Sequence, residues 1–344
     1  MNLEQSKLTI NGTFNSNGGL LWAALFSLLP FFFITFAVIM NETNQKRTFK
    51  DWIIAMRPWS FTASIMPILI LWGLLFYGQT CGNFSVNWHI AFLCLPMLVL
   101  MHAGGNMVSD YFDYKHKVDL PGGPNGVTWI FNGKFKAKTI LYYGIILEIL
   151  GACLGIVILL NTSWNPIWIG IIGMLFAFCY FWFKGHWLGD FDILCSFALL
   201  PAIGTMYVAT GQYHPETLLF ILPLGLLTVS ILHANNTRDL HSDHNAGLET
   251  LSYSMGGRIG ERVYLFETIA PYILTLIYCT FCHQPWTLMI VILTLPIAIR
   301  NEKTMLAADD NMVGQIPTLD KNSAQLQMLF GLLYAIGYFI GAAL

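Results

Sequence analysis

The chain alternates between long apolar runs and short polar connections. Apolar stretches cover roughly 60–78, 88–108, 139–160, 165–183, 191–210, 216–234, 264–282, 285–299 and 324–343. Most are long enough for a helix at 1.5 Å per residue to cross a hydrocarbon core of about 30 Å. A tenth run, Gly19 to Met40, follows a polar, Asn/Ser/Gly-rich start. It is long for a signal peptide and no small-x-small cleavage site follows it, so an additional N-terminal span is expected. The pattern predicts an all-α, multi-span transmembrane helix bundle of nine core helices plus that extra N-terminal helix. Residues 1–45 form the extension and 46–344 the membrane domain.

Composition agrees. Of 344 residues 56% are hydrophobic and 10% charged, against about a quarter charged in soluble domains. No basic tract suggests a nucleic-acid partner; the partner is the lipid bilayer. Seven cysteines, an odd number set mostly in apolar segments, are not a disulfide framework. The net charge of −2 says less than where the charges lie. The connections 78–87, 161–165, 211–215 and 283–285 contain no Lys or Arg, whereas sixteen of the seventeen basic residues fall at the other ends of the runs. The positive-inside rule makes that basic face cytoplasmic. Oligomeric state is not legible in these features.

Two polar stretches on this face stand out. The first is Asn106-Met-Val-Ser-Asp110-Tyr-Phe-Asp113-Tyr-Lys115-His-Lys117-Val-Asp119, and the second Asn235-Asn-Thr-Arg238-Asp239-Leu-His-Ser-Asp243. Asn-x-x-x-Asp thus occurs at 106/110 and again at 235/239, each time where an apolar run ends. If the helices continue past those runs, the spacings of three and four put these side chains on one helical face. Acidic groups at membrane-helix boundaries are costly and point to function. Grouped oxygen ligands suit Mg²⁺, which binds one or two carboxylates together with substrate phosphates. The interleaved Lys115, Lys117 and Arg238 favour a diphosphate over a bare cation, since carboxylates, Mg²⁺ and cationic side chains together clamp such a group. Tyr180-Phe-Trp-Phe-Lys184 lies on the same face and offers a third cation. An ion-coupled transporter is the rival from another class, but a cation carrier has no need of the basic companions.

Taken together, these places resemble the UbiA superfamily of intramembrane prenyltransferases, and within it the 1,4-dihydroxy-2-naphthoate polyprenyltransferases of menaquinone synthesis. The likeness covers about residues 50–344. It is carried by Ala55-Met-Arg57-Pro58-Trp59-Ser60, Asn106-x-x-x-Asp110-Tyr-Phe-Asp113-Tyr and Asp119, Lys184 with Leu188-Gly-Asp190, and Asn235-Asn-x-Arg238-Asp239-x-x-x-Asp243. The resemblance implies nine helices around a central cavity open to the cytoplasmic side of an inner (cytoplasmic) membrane. It implies a polyprenyl diphosphate held through Mg²⁺ by Asn106, Asp110, Asp239 and Asp243. Lys184, Arg238 and Lys115 would then meet the diphosphate, and Asp113 and Asp119 would serve catalysis or the aromatic acceptor. The reaction would be departure of diphosphate, an allylic cation, and attack by an electron-rich ring.

Three positions depart from the pattern. Ser109 stands where Asn is common, Asn125 where Arg follows Gly-Pro, and Leu248 where Lys is expected. The loss of two cations weakens the grip on a diphosphate or shifts the choice of substrate, which leaves room for a paralogue with another acceptor or weak activity. Cys279-x-x-Cys282-His283 spells a c-type haem attachment string, but a single match in an apolar run is read as packing. His102 and His233 are read as hydrogen-bonded bundle residues, and Gly104-Gly105 as a helix break or a close contact between helices. Glu148, in mid-span, requires a partner.

Overall fold

The computed structural model describes residues 47–118, 121, 128–245, 247–307 and 316–344. The expected N-terminal span, Asp119 and Asn125 lie outside these residues. The described chain is helical, with no strand beyond one isolated bridge. An amphipathic helix α1 (Phe49–Ala55) precedes a short 3₁₀ turn, Pro58–Ser60. The bundle follows as α2 (Thr62–Thr80), α3 (Trp88–Lys115), α4 (Ala137–Asn161), α5 (Ile167–Lys184), α6 (Gly189–Thr210) and α7 (Thr217–Arg238). Two short helices, α8 (Leu240–Asn245) and α9 (Leu251–Met255), lead into α10 (Gly257–Phe281). The 3₁₀ segment Trp286–Thr294 continues into α11 (Leu295–Leu306), and α12 (Leu319–Ala343) closes the bundle. Seven of these helices are long and apolar enough to cross a membrane by themselves. This is a multi-pass membrane protein.

Each of the nine core runs is helical among the described residues, with two local departures. Residues 195–199 of α6 form a π turn just before Pro201, which lacks the N–H needed to continue regular i→i−4 bonding. The run 285–299 begins as 3₁₀ and becomes α-helical only near Pro296. The Gly104-Gly105 pair does not break α3. Gly104 instead lies against Gly144 of α4, where an added Cβ would come within 2.9 Å of the Gly144 carbonyl oxygen and 2.7 Å of Glu148 Cγ. Small residues let two backbones approach this closely, and Glu148 fills the space beside them.

α2 packs against α12, and α7 against both α10 and α12. Their shared interior includes Leu71, Leu75, Leu224, Leu227, Phe330 and Tyr334. Large apolar side chains such as Ile171, Phe178, Phe266 and Leu293 point outward, the orientation that lipid requires. The uncharged connections meet at one end, where Phe84 packs on His214 and Trp168 on Tyr213. Both acidic stretches lie at the other. α1 is fastened there: Thr48 and Asp51 form a capping box, Lys134 pairs with Asp51 at 2.5 Å, and Trp52 stacks edge-on against Phe135 and Tyr143. Cys279 is buried and its thiol faces the Pro285 carbonyl at 3.4 Å, in keeping with packing.

Candidate active site

Because α3 runs unbroken to Lys115, Asn106, Asp110 and Asp113 follow one another along its last turns. Arg57 adopts the left-handed region (φ +59°) and turns the chain into the 3₁₀ segment. Its guanidinium reaches Asp110 Oδ1 at 3.0 Å. Asn106 donates to the Met56 carbonyl at 3.3 Å and to Ser60 Oγ at 3.0 Å. Ser109 donates to Asp113 at 3.1 Å, so the serine that departs from the family pattern still orients an acid. The first acidic stretch is thus tied to the Arg57–Ser60 segment fifty residues earlier.

The second stretch is built from the end of α7 and from α8. Arg238 binds Asp239 through two bonds of 2.9 and 2.7 Å, reaches Asp320 of α12 at 2.7 Å, and also donates to Asn235. A guanidinium fork of this kind holds carboxylates in a defined orientation. Lys184, at the end of α5, lies 3.3 Å from both Asp243 carboxylate oxygens. The segment after α8 secures this pairing. Trp187 N–H donates to the Glu249 carbonyl at 3.0 Å, Glu249 N–H to Gly185 at 3.3 Å, and Leu248 N–H to Asp243 at 2.9 Å. Burial pushes the Asp243 carboxyl above the usual carboxylate range, while the Lys184 ammonium pulls it back down.

Lys184 joins the two stretches. It interacts electrostatically with Asp243 and also with Asp113, which in turn acts on Asp243. Tyr180, one turn before Lys184, senses Asp113, Asp192 and Asp243 as well. Lys184 therefore interacts with acids of both α3 and α8. Leu248, where a lysine was expected, is 5% exposed and contributes a backbone bond. The ammonium beside Asp243 comes from Lys184 instead.

The remaining expectations separate. Lys115 is exposed at the end of α3, with its ammonium 5.8 Å from the Phe112 ring, and no described ion pair joins it to the acids. Arg238 is engaged by Asp239 and Asp320. His102 is a bundle residue, with Ser64 Oγ 2.8 Å from Nδ1, Ser60 Oγ 3.3 Å from Nε2, and the rings of Phe61 and Phe197 beside it. Sequence reasoning did not foresee the parts played by Asp192 and Asp320, nor that Arg57 is the partner of Asp110. Only the position of Arg57 inside a quoted motif hinted at the last.

A membrane helix bundle whose acids and cations converge at one end is a multi-pass membrane protein with one charged, polar end. The comparisons with known proteins narrow this class. Residues 65–312 match the model of the UbiA prenyltransferase family, and the chain belongs to that family. It is 28% identical over 310 residues to UbiA prenyltransferase domain-containing protein 1 of Xenopus tropicalis, covering 88% of this chain and 86% of that one. A homolog of that protein in Drosophila melanogaster is 30% identical over 296 residues, covering 83% and 79%. The solved structure of a UbiA homolog from Archaeoglobus fulgidus bound to GPP and Mg²⁺ shares the fold, with a TM-score of 0.57 and 15% identity over 84% of this chain and 98% of that one. The protein is a prenyltransferase, and the carrier reading is set aside.

Proposed function

We propose that the chain transfers a polyprenyl group from an isoprenoid diphosphate to an aromatic acceptor of the 1,4-dihydroxy-2-naphthoate type, with Mg²⁺ as cofactor. The observation that carries this reading is that Lys184, 3.3 Å from Asp243 of the second acidic stretch, also interacts electrostatically with Asp113 of the first. Two groups more than a hundred residues apart in sequence thereby frame one site.

The donor set fits Mg²⁺. Asn106, Asp110, Asp239 and Asp243 offer hard oxygen ligands, and no thiolate lies among them. Bound there, Mg²⁺ would neutralise the charge that builds on the leaving diphosphate. The chain's own cations complete this work. Arg57 and Lys184 each hold a carboxylate at 3.0–3.3 Å and are placed to turn toward phosphate oxygens when those carboxylates take metal. Arg238, proposed with them for the diphosphate, also holds Asp239 in orientation together with Asp320. Lys115, on the exposed rim, steers the anionic substrate inward.

Cleavage of the allylic C–O bond sends its electron pair away with the diphosphate. The aromatic ring then supplies the pair that forms the new C–C bond. Asp113, held by Ser109, is the candidate to take a proton from the acceptor, and Asp119 is proposed for the acceptor side. Tyr180 and neighbouring rings present π faces to the allylic cation. The prenyl tail extends among the apolar helices, and the basic ends of the helices support a site on the cytoplasmic side. Leu248, buried in place of a lysine, favours as second reading a family member with a different acceptor ring.

The test incubates membranes carrying the chain with Mg²⁺, geranylgeranyl diphosphate and a panel of phenolic acids that includes 1,4-dihydroxy-2-naphthoate, with product masses read by spectrometry. A prenylated naphthoate is expected. Prenylation of another ring only would move the acceptor, and release of no diphosphate with any acid would overturn the reading.

A further inference from the structure

Three helices of the bundle bring together a second polar cluster. Asp190 lies at the start of α6, His233 in α7 and Glu267 in α10. One ligand atom from each lies within 4.8 Å of those of the other two. All three residues are buried: His233 is 0% exposed, Glu267 4% and Asp190 8%. His233 Nδ1 stands 3.3 Å from Glu267 Oε1 and 3.2 Å from Oε2. Both oxygens of Asp190 are buried and meet no hydrogen-bond partner among the described residues. An acid so placed, if ionised, forfeits its hydration without compensation.

Glu302 of α11 interacts with both His233 and Glu267 and accepts a hydrogen bond from Thr268, and its Oε2 is also without a partner among the described residues. Among the described residues no lysine or arginine forms an ion pair with Asp190, Glu267 or Glu302. Two carboxylates and a neutral imidazole are balanced by one dication. An imidazole nitrogen with two carboxylate oxygens suits zinc, which takes three protein ligands and one further ligand. Mg²⁺, which favours all-oxygen octahedra and keeps its waters, suits it poorly.

We propose that Asp190, His233 and Glu267 form a buried site for a transition-metal dication, Zn²⁺ in the first instance, separate from the diphosphate site. Such an ion would pin α6, α7 and α10 together and so help to fix where Asp239, the C-cap of α7, stands.

The test uses the full chain purified in detergent with excess Mg²⁺, and reads metal per chain by mass spectrometry after gel filtration. Wild type is expected to retain about one equivalent of zinc. Asp243→Ala should retain it too, because that change touches only the diphosphate site, whereas Asp190→Asn and Glu267→Gln should lose at least nine-tenths of it. Zinc added back to chelator-stripped wild type should raise its melting temperature by several degrees and leave the two variants unmoved. Wild type that neither retains zinc nor responds to it would overturn the proposal, the cluster then being neutralised by protons alone. Loss of zinc in Asp243→Ala would overturn the separateness of the site. Neither readout depends on prenyl transfer, so failure here is distinguishable from failure of the proposed activity.

Discussion

The contact between Gly104 and Gly144 yields a sharp prediction because it positions the first acidic stretch. A methyl group at Gly104 would lie 2.7 Å from Glu148 Cγ, 2.9 Å from the Gly144 carbonyl oxygen and 3.0 Å from the Glu148 nitrogen. Carbon contacts are comfortable at about 3.5–4.0 Å, so α3 and α4 must separate by roughly half an ångström or more. The Glu148 side chain can turn aside, but the two backbone atoms cannot. Overpacking of this kind costs about 1–3 kcal/mol, and the better helix propensity of Ala offsets up to about 1 kcal/mol of it. Asn106 and Asp110 lie half a turn to two turns further along α3 and shift with it. A misplacement on the order of 1 Å lowers turnover by about 10²-fold. Gly105→Ala is the control: its methyl would meet only Glu148 Oε1, at an ordinary 3.6 Å. The assay is thermal unfolding in detergent alongside kcat/KM for prenyl transfer. Gly104→Ala should melt at least about 2 °C below Gly105→Ala and show the lower kcat/KM. Equal melting and equal turnover in the two variants would refute the reasoning.

Removing the ammonium in Lys184→Ala should lower kcat by about 10²-fold or more, as loss of one charge-stabilising donor does in other enzymes, with partial recovery in Lys184→Arg. Arg238→Ala leaves Asp239 and Asp320 without their shared cation and should destabilise the fold by about 3–5 kcal/mol in denaturant titrations. Adding Asp320→Ala to it should restore part of that loss. Asp51 is held near a pKa of about 2, first by Lys134 and then by the Thr48 backbone and hydroxyl. Since this lies below its ordinary 3.8, its contribution is full above about pH 4 and disappears as pH falls through about 2. Melting curves across that window should lose this component in Asp51→Asn.

The span pattern was legible because an apolar run of spanning length must satisfy its backbone within one helix. The Asn106-x-x-x-Asp110 pair was legible for a similar reason, its geometry being set within two turns of a single helix, whereas α7 stops at Arg238 and leaves Asp239 as its C-cap. What stayed hidden is long-range. Arg57 meets Asp110, Lys184 meets Asp243 and Arg238 meets Asp320 across 53, 59 and 82 positions, and nothing local specifies such pairings. Leu248 illustrates this. Read by position, it removes a cation from the site, yet in space Lys184 supplies one from another helix. Gly104-Gly105 left two readings open, and the proximity of Gly144 decided for close packing. Asp190, His233 and Glu267 come from three helices and share no motif spacing, so only the fold brings them together.

The central claim is that both acidic stretches grip one magnesium diphosphate. Calorimetric titration of a non-hydrolysable geranylgeranyl diphosphate analogue into purified protein, with and without Mg²⁺, tests it most directly. Wild type should bind one equivalent only when Mg²⁺ is present, and Asp110→Ala and Asp239→Ala should each weaken binding by at least about tenfold, or 1.4 kcal/mol. If either variant binds as wild type does, or if binding ignores Mg²⁺, the two stretches do not share that ligand.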